Sequence, residues 1–404
     1  MTVIEFFDRE SAVENIASAL ICKPEKVVFI GSNAKRMKKC VENYNSVLQA
    51  RGIEVDFSFR TVGRNNLGAI VSAIEDVVSE NGECKIDIGG GDELFLVAVG
   101  TVLEKHKDKV EIRRFNVNNN YVSDCNSDGC VLKKAVFNLG VDENIRIYGG
   151  RVIYSNEKAN STVRWDFNND FVSDIKAMWE ICRKNAGAWN AQANTVSKLC
   201  NECFDESDLR ISVKSERIQK GIFISKEIFS ALEECGVIKD LQFGERFSFR
   251  FKNKNVMKCI TKAGLLLELI ITVIAKDLKD GDGYVYNDVG TGVYIDWDGV
   301  VNGEGCADVE NEMDVILMKG MIPVFISCKN GAVDSDELYK LSVVSERFGG
   351  KYVKKVLIAT RLDEMGYKAE YIRARAKDMG IRVVENIDTL NEKELCETVA
   401  KFTV

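Results

Sequence analysis

Apolar residues in the first 150 positions come in short unbroken runs, each followed by a longer stretch with helical spacing. Residues 26–31, Lys-Val-Val-Phe-Ile-Gly, form such a run: too short for a helix, and apolar on both alternating faces as a buried parallel strand requires. Periodicity predicts a helix over 34–51, a strand over 54–60, and a helix capped by Asn65 that ends near Ser79. Residues 85–88 and 110–115 read as further strands, and another helix opens at Asp92. Strands and helices alternate, so residues 1–150 are expected to form a doubly wound, Rossmann-like α/β domain. Ligands of such sheets bind beyond the carboxyl ends of the strands. Two glycine turns fall there, Gly31-Ser32-Asn33 and Gly89-Gly90-Gly91-Asp92-Glu93. Glycine lets main chain approach a phosphate closely, and the next helix supplies unpaired N–H donors; a plain tight turn would also account for the glycines. The dinucleotide fingerprint is incomplete, with one glycine in the first turn where three are wanted and Arg60 where a ribose-binding acid is expected. Arg60, Thr61 and Arg64 suit an anionic ligand better.

The pattern over 151–250 is less regular. Helical spacing over 174–185, a helix capped by Ser225 and stopped by Gly236, and short flanking strands predict a mixed α+β connector, compatible with a winged-helix-like module. Residues 251–404 return to α/β alternation. One strongly apolar helix is expected over 258–277, interrupted by Glu268. Burying a carboxylate costs several kcal/mol unless it meets a cation, so Glu268 either faces a metal, pairs with a lysine or points outward. Strands are expected over 293–297, 312–318 and 321–329, with a loop from Asp298 to Gly305. In the last strand Val324, Ile326 and Cys328 share one face while Phe325, Ser327 and Lys329 share the other. Glu312 and Asp314 share a face of the strand before it. A hairpin turning at Lys319-Gly320 would set Asp314 beside Ser327 and Lys329. Carboxylates so placed hold Mg²⁺ or Mn²⁺, and the lysine orients the attacking water or steadies the charge that develops on phosphorus. Hard oxygen ligands favour these ions over zinc.

Composition narrows the chemistry. With 404 residues, 46% hydrophobic and 29% charged, the chain is a folded protein of about two or three domains. No apolar stretch spans a bilayer, and Glu5, Asp8, Arg9 and Glu10 stand where a signal peptide needs an apolar run, so a cytoplasmic protein without a membrane partner is expected. The thirteen cysteines, an odd number, read as reduced thiols; Cys125/Cys130 and Cys200/Cys203 would make a split zinc site, but Cys200-Asn-Glu-Cys203 lies in a helical stretch and lacks the glycines and turns of a zinc knuckle. The one histidine, His106, lies at the charged end of a helix. A lone surface histidine excludes Ser-His-Asp triads, Cys-His pairs and histidine metal sites, leaving carboxylates, a lysine and a metal for any hydrolysis. A net charge of −7 argues against polyanion binding by the whole surface. Residues 347–382 hold ten Lys or Arg against four acids, either a local phosphate track or an ordinary solvated edge.

The opening residues Val3 to Glu10, the strand ending Phe29-Ile30-Gly31-Ser32 and the turn Asp87-Ile88-Gly89-Gly90-Gly91-Asp92-Glu93 resemble a CARF domain, the CRISPR-associated Rossmann fold. The resemblance implies a homodimer that binds a cyclic oligoadenylate across its two-fold axis, with Gly31, Ser32, Asn33 and Gly89 to Glu93 lining the pocket. Cyclic tetra-adenylate is the favoured ring, although Gly89 stands where the family often has a threonine. Asn311-Glu312-Met313-Asp314, followed by residues 323–331, Pro-Val-Phe-Ile-Ser-Cys-Lys-Asn-Gly, resembles the nuclease half of CARF-linked type III CRISPR ancillary nucleases, of the PD-(D/E)xK restriction-endonuclease superfamily. That resemblance implies Glu268 and Asp314 as metal ligands, with Glu312 and Cys328 in the same donor set, and Lys329 as the catalytic lysine. Ser327 occupies a place where the superfamily usually has an acid. The expected activity is cyclic oligoadenylate-activated, metal-dependent cleavage of DNA and/or single-stranded RNA. The alternative is a ligand-regulated binding or transcription-regulating protein whose nuclease-like domain is inert, and a third reading, a nucleotide-dependent oxidoreductase, would bind a nicotinamide cofactor.

Overall fold

The computed structural model describes all residues except 9, 127–128, 136, 155–156, 159, 219–222, 282, 302–308 and 404, and the side chains of 217 and 218. Arg9 of the opening motif and the expected loop's positions 302–305 therefore lie outside the described residues.

The N-terminal sheet runs in the order Asp56–Thr61, Lys26–Gly31, Thr2–Phe6, Cys84–Asp87, Val110–Asn116, Tyr121–Asn126, Gly129–Lys134. The first five strands are parallel and the last two form an antiparallel hairpin. Both faces of the central strands are covered, which is why those strands are apolar at consecutive positions: Val3 and Phe29 face helices Ala12–Cys22 and Ala34–Ala50, while Ile4, Val28 and Ile30 face helices Leu67–Asn81 and Glu93–Lys105. Thr2–Phe6 pairs with Lys26–Gly31 on one side and Cys84–Asp87 on the other. Strand order reverses at that point, and the crevice this opens is where such sheets take ligands. The helix over 67–81 is capped by Asn66 instead of Asn65; its side chain accepts from the Ala69 N–H at 3.0 Å.

One cysteine expectation fails. Cys125 and Cys130 stand directly opposite each other in the hairpin and are disulfide-bonded.

Around residue 150 the chain passes from one sheet to the other without a break in the core. Helix Val141–Ile147 contributes Ile145 and Ile147 to the same cluster as Val13, Phe29, Ile316 and Phe325, and Arg151–Val152 forms the edge strand of the C-terminal sheet. The connector packs helices Asn169–Lys184, Ala186–Cys203 and Lys226–Glu234 against an antiparallel sheet ordered Ile238–Phe243, Arg246–Phe251, Arg210–Lys214, Phe204–Asp205. Helix, strand, helices and terminal hairpin follow one another as in a winged helix, around Phe229, Phe247 and Phe249.

The C-terminal sheet is ordered Ile381–Val384, Lys354–Ala359, Ile322–Lys329, Glu310–Lys319, Asp288–Asp296, Arg151–Val152. Helix Leu265–Asp277 covers the face of Val315, Val324 and Ile326, and helix Ser335–Gly349 covers the face of Ile316 and Phe325. The single helix expected over 258–277 is two, Lys254–Thr261 and Leu265–Asp277. Gly264 breaks it at φ +88, a conformation that a side chain disfavours, although nothing within 4 Å would obstruct a Cβ there. The break places Glu268 in the first turn of the second helix, where the helix dipole favours a carboxylate. No helix among the described residues is long and apolar enough to cross a membrane.

Candidate functional site

The hairpin turns as its alternation requires, with Val315 opposite Ile326 and Lys319 opposite Ile322. Asp314, one step further, meets the partner strand at Ser327: its Oδ2 accepts from the Cys328 N–H at 2.7 Å and from the Ser327 hydroxyl at 3.3 Å. Glu268 approaches from the helix above. Only 5% exposed, it leaves Oε2 buried without a hydrogen-bond partner. Burial, then the charge of Asp314, pushes its carboxyl up to about 8. Burial also raises Asp314, against the pull of Lys329. Lys329 keeps its proton firmly: burial opposes the charge, but Asp314 and Glu337 outweigh it, and Glu337 holds the ammonium at 2.9 Å. Glu312 reaches Lys262 at 3.1 Å. The Cys328 thiol is buried, and burial together with the charges of Asp314 and Glu268 raises its pKa.

Sequence reasoning missed Lys262 and Glu337. The signals were Gly264, whose break turns Lys262 towards the acids, and the acidic first turn Asp336-Glu337 behind the Asp334 cap.

Among the described residues no three acid, thiol or imidazole groups converge as a ready metal-binding set. The two carboxylates nonetheless fit a hard dication, which would satisfy the orphaned Oε2 of Glu268 and relieve the repulsion between the pair. The pH dependence follows with a definite sign. Folded Glu268 keeps a proton that the unfolded chain gives up in the ordinary carboxylate range, so its contribution to stability is present at low pH and is lost as pH rises towards about 8. In EDTA the fall in melting temperature over that interval is expected to shrink in Glu268→Gln, and Mn²⁺ should cancel it in the parent; equal slopes in parent and variant would refute the assignment.

A cleft of about 200 Å³ leads to Glu268 between Trp165, Lys258, Lys262, Tyr294 and Glu312. Several residues of the basic segment over 347–382 have partners within the chain. Lys355, Arg361 and Arg373 are spent on Glu346, Glu364 and Glu385, and Arg375 on the Tyr339 hydroxyl.

A second cavity, about 630 Å³, opens at the reversal point of the N-terminal sheet. Gly31, Ser32, Asn33, Gly91 and Asp92 line it together with Phe7, Asp8, Arg36 and Arg64. Asn33 also caps the following helix, accepting from the Arg36 N–H at 3.0 Å. Gly90 is buried behind the wall, where a Cβ would run into the Phe6 carbonyl oxygen, and Gly89 faces a separate recess towards Tyr352. Arg60 turns away to Glu80 at 2.6 Å, and Thr61 and Glu93 are exposed and not among the cavity's walls. Asp87 shapes the turn by accepting from the Gly89 N–H at 2.7 Å; burial raises it to about 6.

The two sites are joined by one helix. Asp8, on the cavity wall, reaches Lys351 at 3.4 Å, and Glu14 binds the same ammonium. Lys351 lies in the turn Gly350–Tyr352 that follows helix Ser335–Gly349, whose first turn carries Glu337.

No protein-family model matches the chain, and no curated protein matches it. Solved structures do. Protein VC1899 from Vibrio cholerae superposes with a TM-score of 0.75 at 19% identity, covering 100% of this chain and 97% of that one. Can2 from Sulfobacillus thermosulfidooxidans, solved in complex with cyclic tetra-adenylate, gives 0.68 at 12% identity, covering 100% and 99%. The chain has the fold of these two proteins. The likeness takes in the N-terminal domain, the connector and the C-terminal sheet alike, and at such identities it is a likeness of fold.

Proposed function

We propose that this protein is a homodimeric, metal-dependent endonuclease of type III CRISPR defence, activated by a cyclic oligoadenylate and acting on DNA and/or single-stranded RNA. The observation that carries the reading is the meeting of Glu268, Asp314 and Lys329 on one helix and two paired strands. The full-length fold shared with Can2, a protein solved with cyclic tetra-adenylate, supports the choice of activator. When bound, Mn²⁺ or Mg²⁺ would supply positive charge at the scissile phosphate and acidify a water. Glu268 and Asp314 would hold the ion, with Glu312 close by, the Ser327 hydroxyl as a neutral donor and Cys328 contributing main chain only. Lys329, once free of Glu337, donates hydrogen bonds to a non-bridging phosphate oxygen and steadies the charge that builds there.

Helix Ser335–Gly349 gives the sensor cavity a route to that lysine. Phosphates entering beside Asp8 compete with it for Lys351, and the helix that follows Lys351's shift carries Glu337 with it. Activation then requires the ligand to favour the released state over the held one. Lys351→Ala is expected to raise cleavage without activator and to reduce the stimulation by cyclic tetra-adenylate several-fold. Unchanged stimulation would rule out this route.

A second reading, an inert nuclease-like domain under ligand control, draws on Ser327 in the acid's place. Isothermal titration separates the two: the nuclease binds Mn²⁺ in a manner lost in Asp314→Asn, and the inert domain binds none.

A further inference from the structure

The cleft beside Glu268 has a wall that holding a metal does not explain. Trp165 forms it, fixed from behind by Phe171, with ring centroids 5.5 Å apart and 19° between the planes. Lys258 lies 5.4 Å from the same indole's centroid. Lys258 is exposed and has no acidic partner among the described residues, so its ammonium is free to move off the ring. Lys262 stands on the same side, between this wall and Glu312. An aromatic face packed on Phe171, with the Lys258 ammonium over it and Lys262 beside it on Glu312, opening next to Glu268, has the chemistry of a nucleotide subsite. Bases stack on such a face irrespective of sequence, and lysines follow the phosphates.

We infer that Trp165, Lys258 and Lys262 form a subsite for one unpaired nucleotide flanking the scissile phosphate. Its base stacks on the Trp165 indole in place of Lys258, whose ammonium moves onto the neighbouring phosphate, while Lys262 leaves Glu312 for the scissile group. The indole is ordered beforehand by Phe171, so stacking requires little further ordering of the protein. A base inside a duplex already has both faces covered and cannot enter. The inference rests on the nuclease reading for the identity of the bound polymer, but it is tested without cleavage.

The test is binding in EDTA by the full chain, with and without cyclic tetra-adenylate. The probes are a fluorescent ten-nucleotide oligodeoxyadenylate and a hairpin duplex of the same length. Oligodeoxyadenylate is expected to quench tryptophan emission in the parent and not in Trp165→Phe, which keeps most of the affinity. Trp165→Ala is expected to weaken single-strand binding roughly tenfold or more and to leave duplex binding unchanged. Lys258→Ala, a surface change that the fold tolerates, should weaken single-strand binding and flatten its salt dependence. Equal affinity in Trp165→Ala, quenching that persists in Trp165→Phe, or no single-strand binding by the parent would each overturn the subsite. A chain that binds through Trp165 yet never cuts with Mn²⁺ would sink the nuclease reading alone. A chain that cuts with an unchanged KM in Trp165→Ala would sink the subsite alone.

Discussion

Asp314→Asn is expected to lower cleavage by roughly a hundred- to a thousandfold, the scale on which a single group that stabilises developing charge is missed. Asparagine is nearly the same shape, and its carbonyl oxygen still accepts from the Cys328 N–H that Asp314 holds at 2.7 Å. The hairpin therefore stays closed, and what disappears is negative charge. With that charge gone, Glu268 loses the neighbour that helps hold its carboxyl at about 8 and ionises more readily. One carboxylate then remains of the two proposed to hold the metal, so Mn²⁺ affinity is expected to fall with activity while the melting temperature in EDTA holds or rises. Parent-like cleavage by Asp314→Asn would remove this residue from the site.

The second large effect concerns the glycine turn at the edge of the N-terminal cavity. Gly90→Ala places a methyl against the Phe6 carbonyl oxygen, which is fixed in the central strand and cannot swing aside as a side chain would. Overpacking of this kind costs about 1–3 kcal/mol or more, and a backbone obstacle puts the case at the upper end. The strand that has to move also carries Phe7 and Asp8 into the cavity wall, so ligand affinity should fall together with stability. Gly100→Ala is the control. Nothing lies within 4 Å of its Cβ, and its helix, Glu93–Lys105, should gain about 0.5–1 kcal/mol from the better helix former. Melting curves of the two variants should move in opposite directions; a Gly90→Ala protein as stable as the parent would mean that the turn is packed differently.

What could be read in the sequence follows from how local each signal is. The period of two in residues 321–329 placed Ser327 and Lys329 on one face, and the short turn at Gly320 left a single register that sets Asp314 against Ser327. Gly31, Ser32 and Asn33 were legible for the same reason, since a strand end and a helix cap fix a turn from a few residues. Arg60 was not, because its direction depends on Glu80, a helix away. Gly89 and Gly90 were assigned to ligand contact, whereas packing on Phe6 claims the buried Gly90. The helix break at Gly264 was hidden by the apolar residues around it, and with it the place of Lys262. No local pattern can show Lys351 meeting Asp8, on the wall of the N-terminal cavity, across a separation of 343 residues.

The most direct test of the central claim is cleavage of labelled single-stranded RNA and DNA and of supercoiled plasmid with Mn²⁺. Reactions would contain no activator, cyclic tetra-adenylate or cyclic hexa-adenylate, with Lys329→Ala alongside. The account predicts cutting that requires both metal and a cyclic oligoadenylate and is lost in Lys329→Ala. No cutting by a folded protein that binds both the ring and Mn²⁺, or cutting that survives in Lys329→Ala, would contradict it.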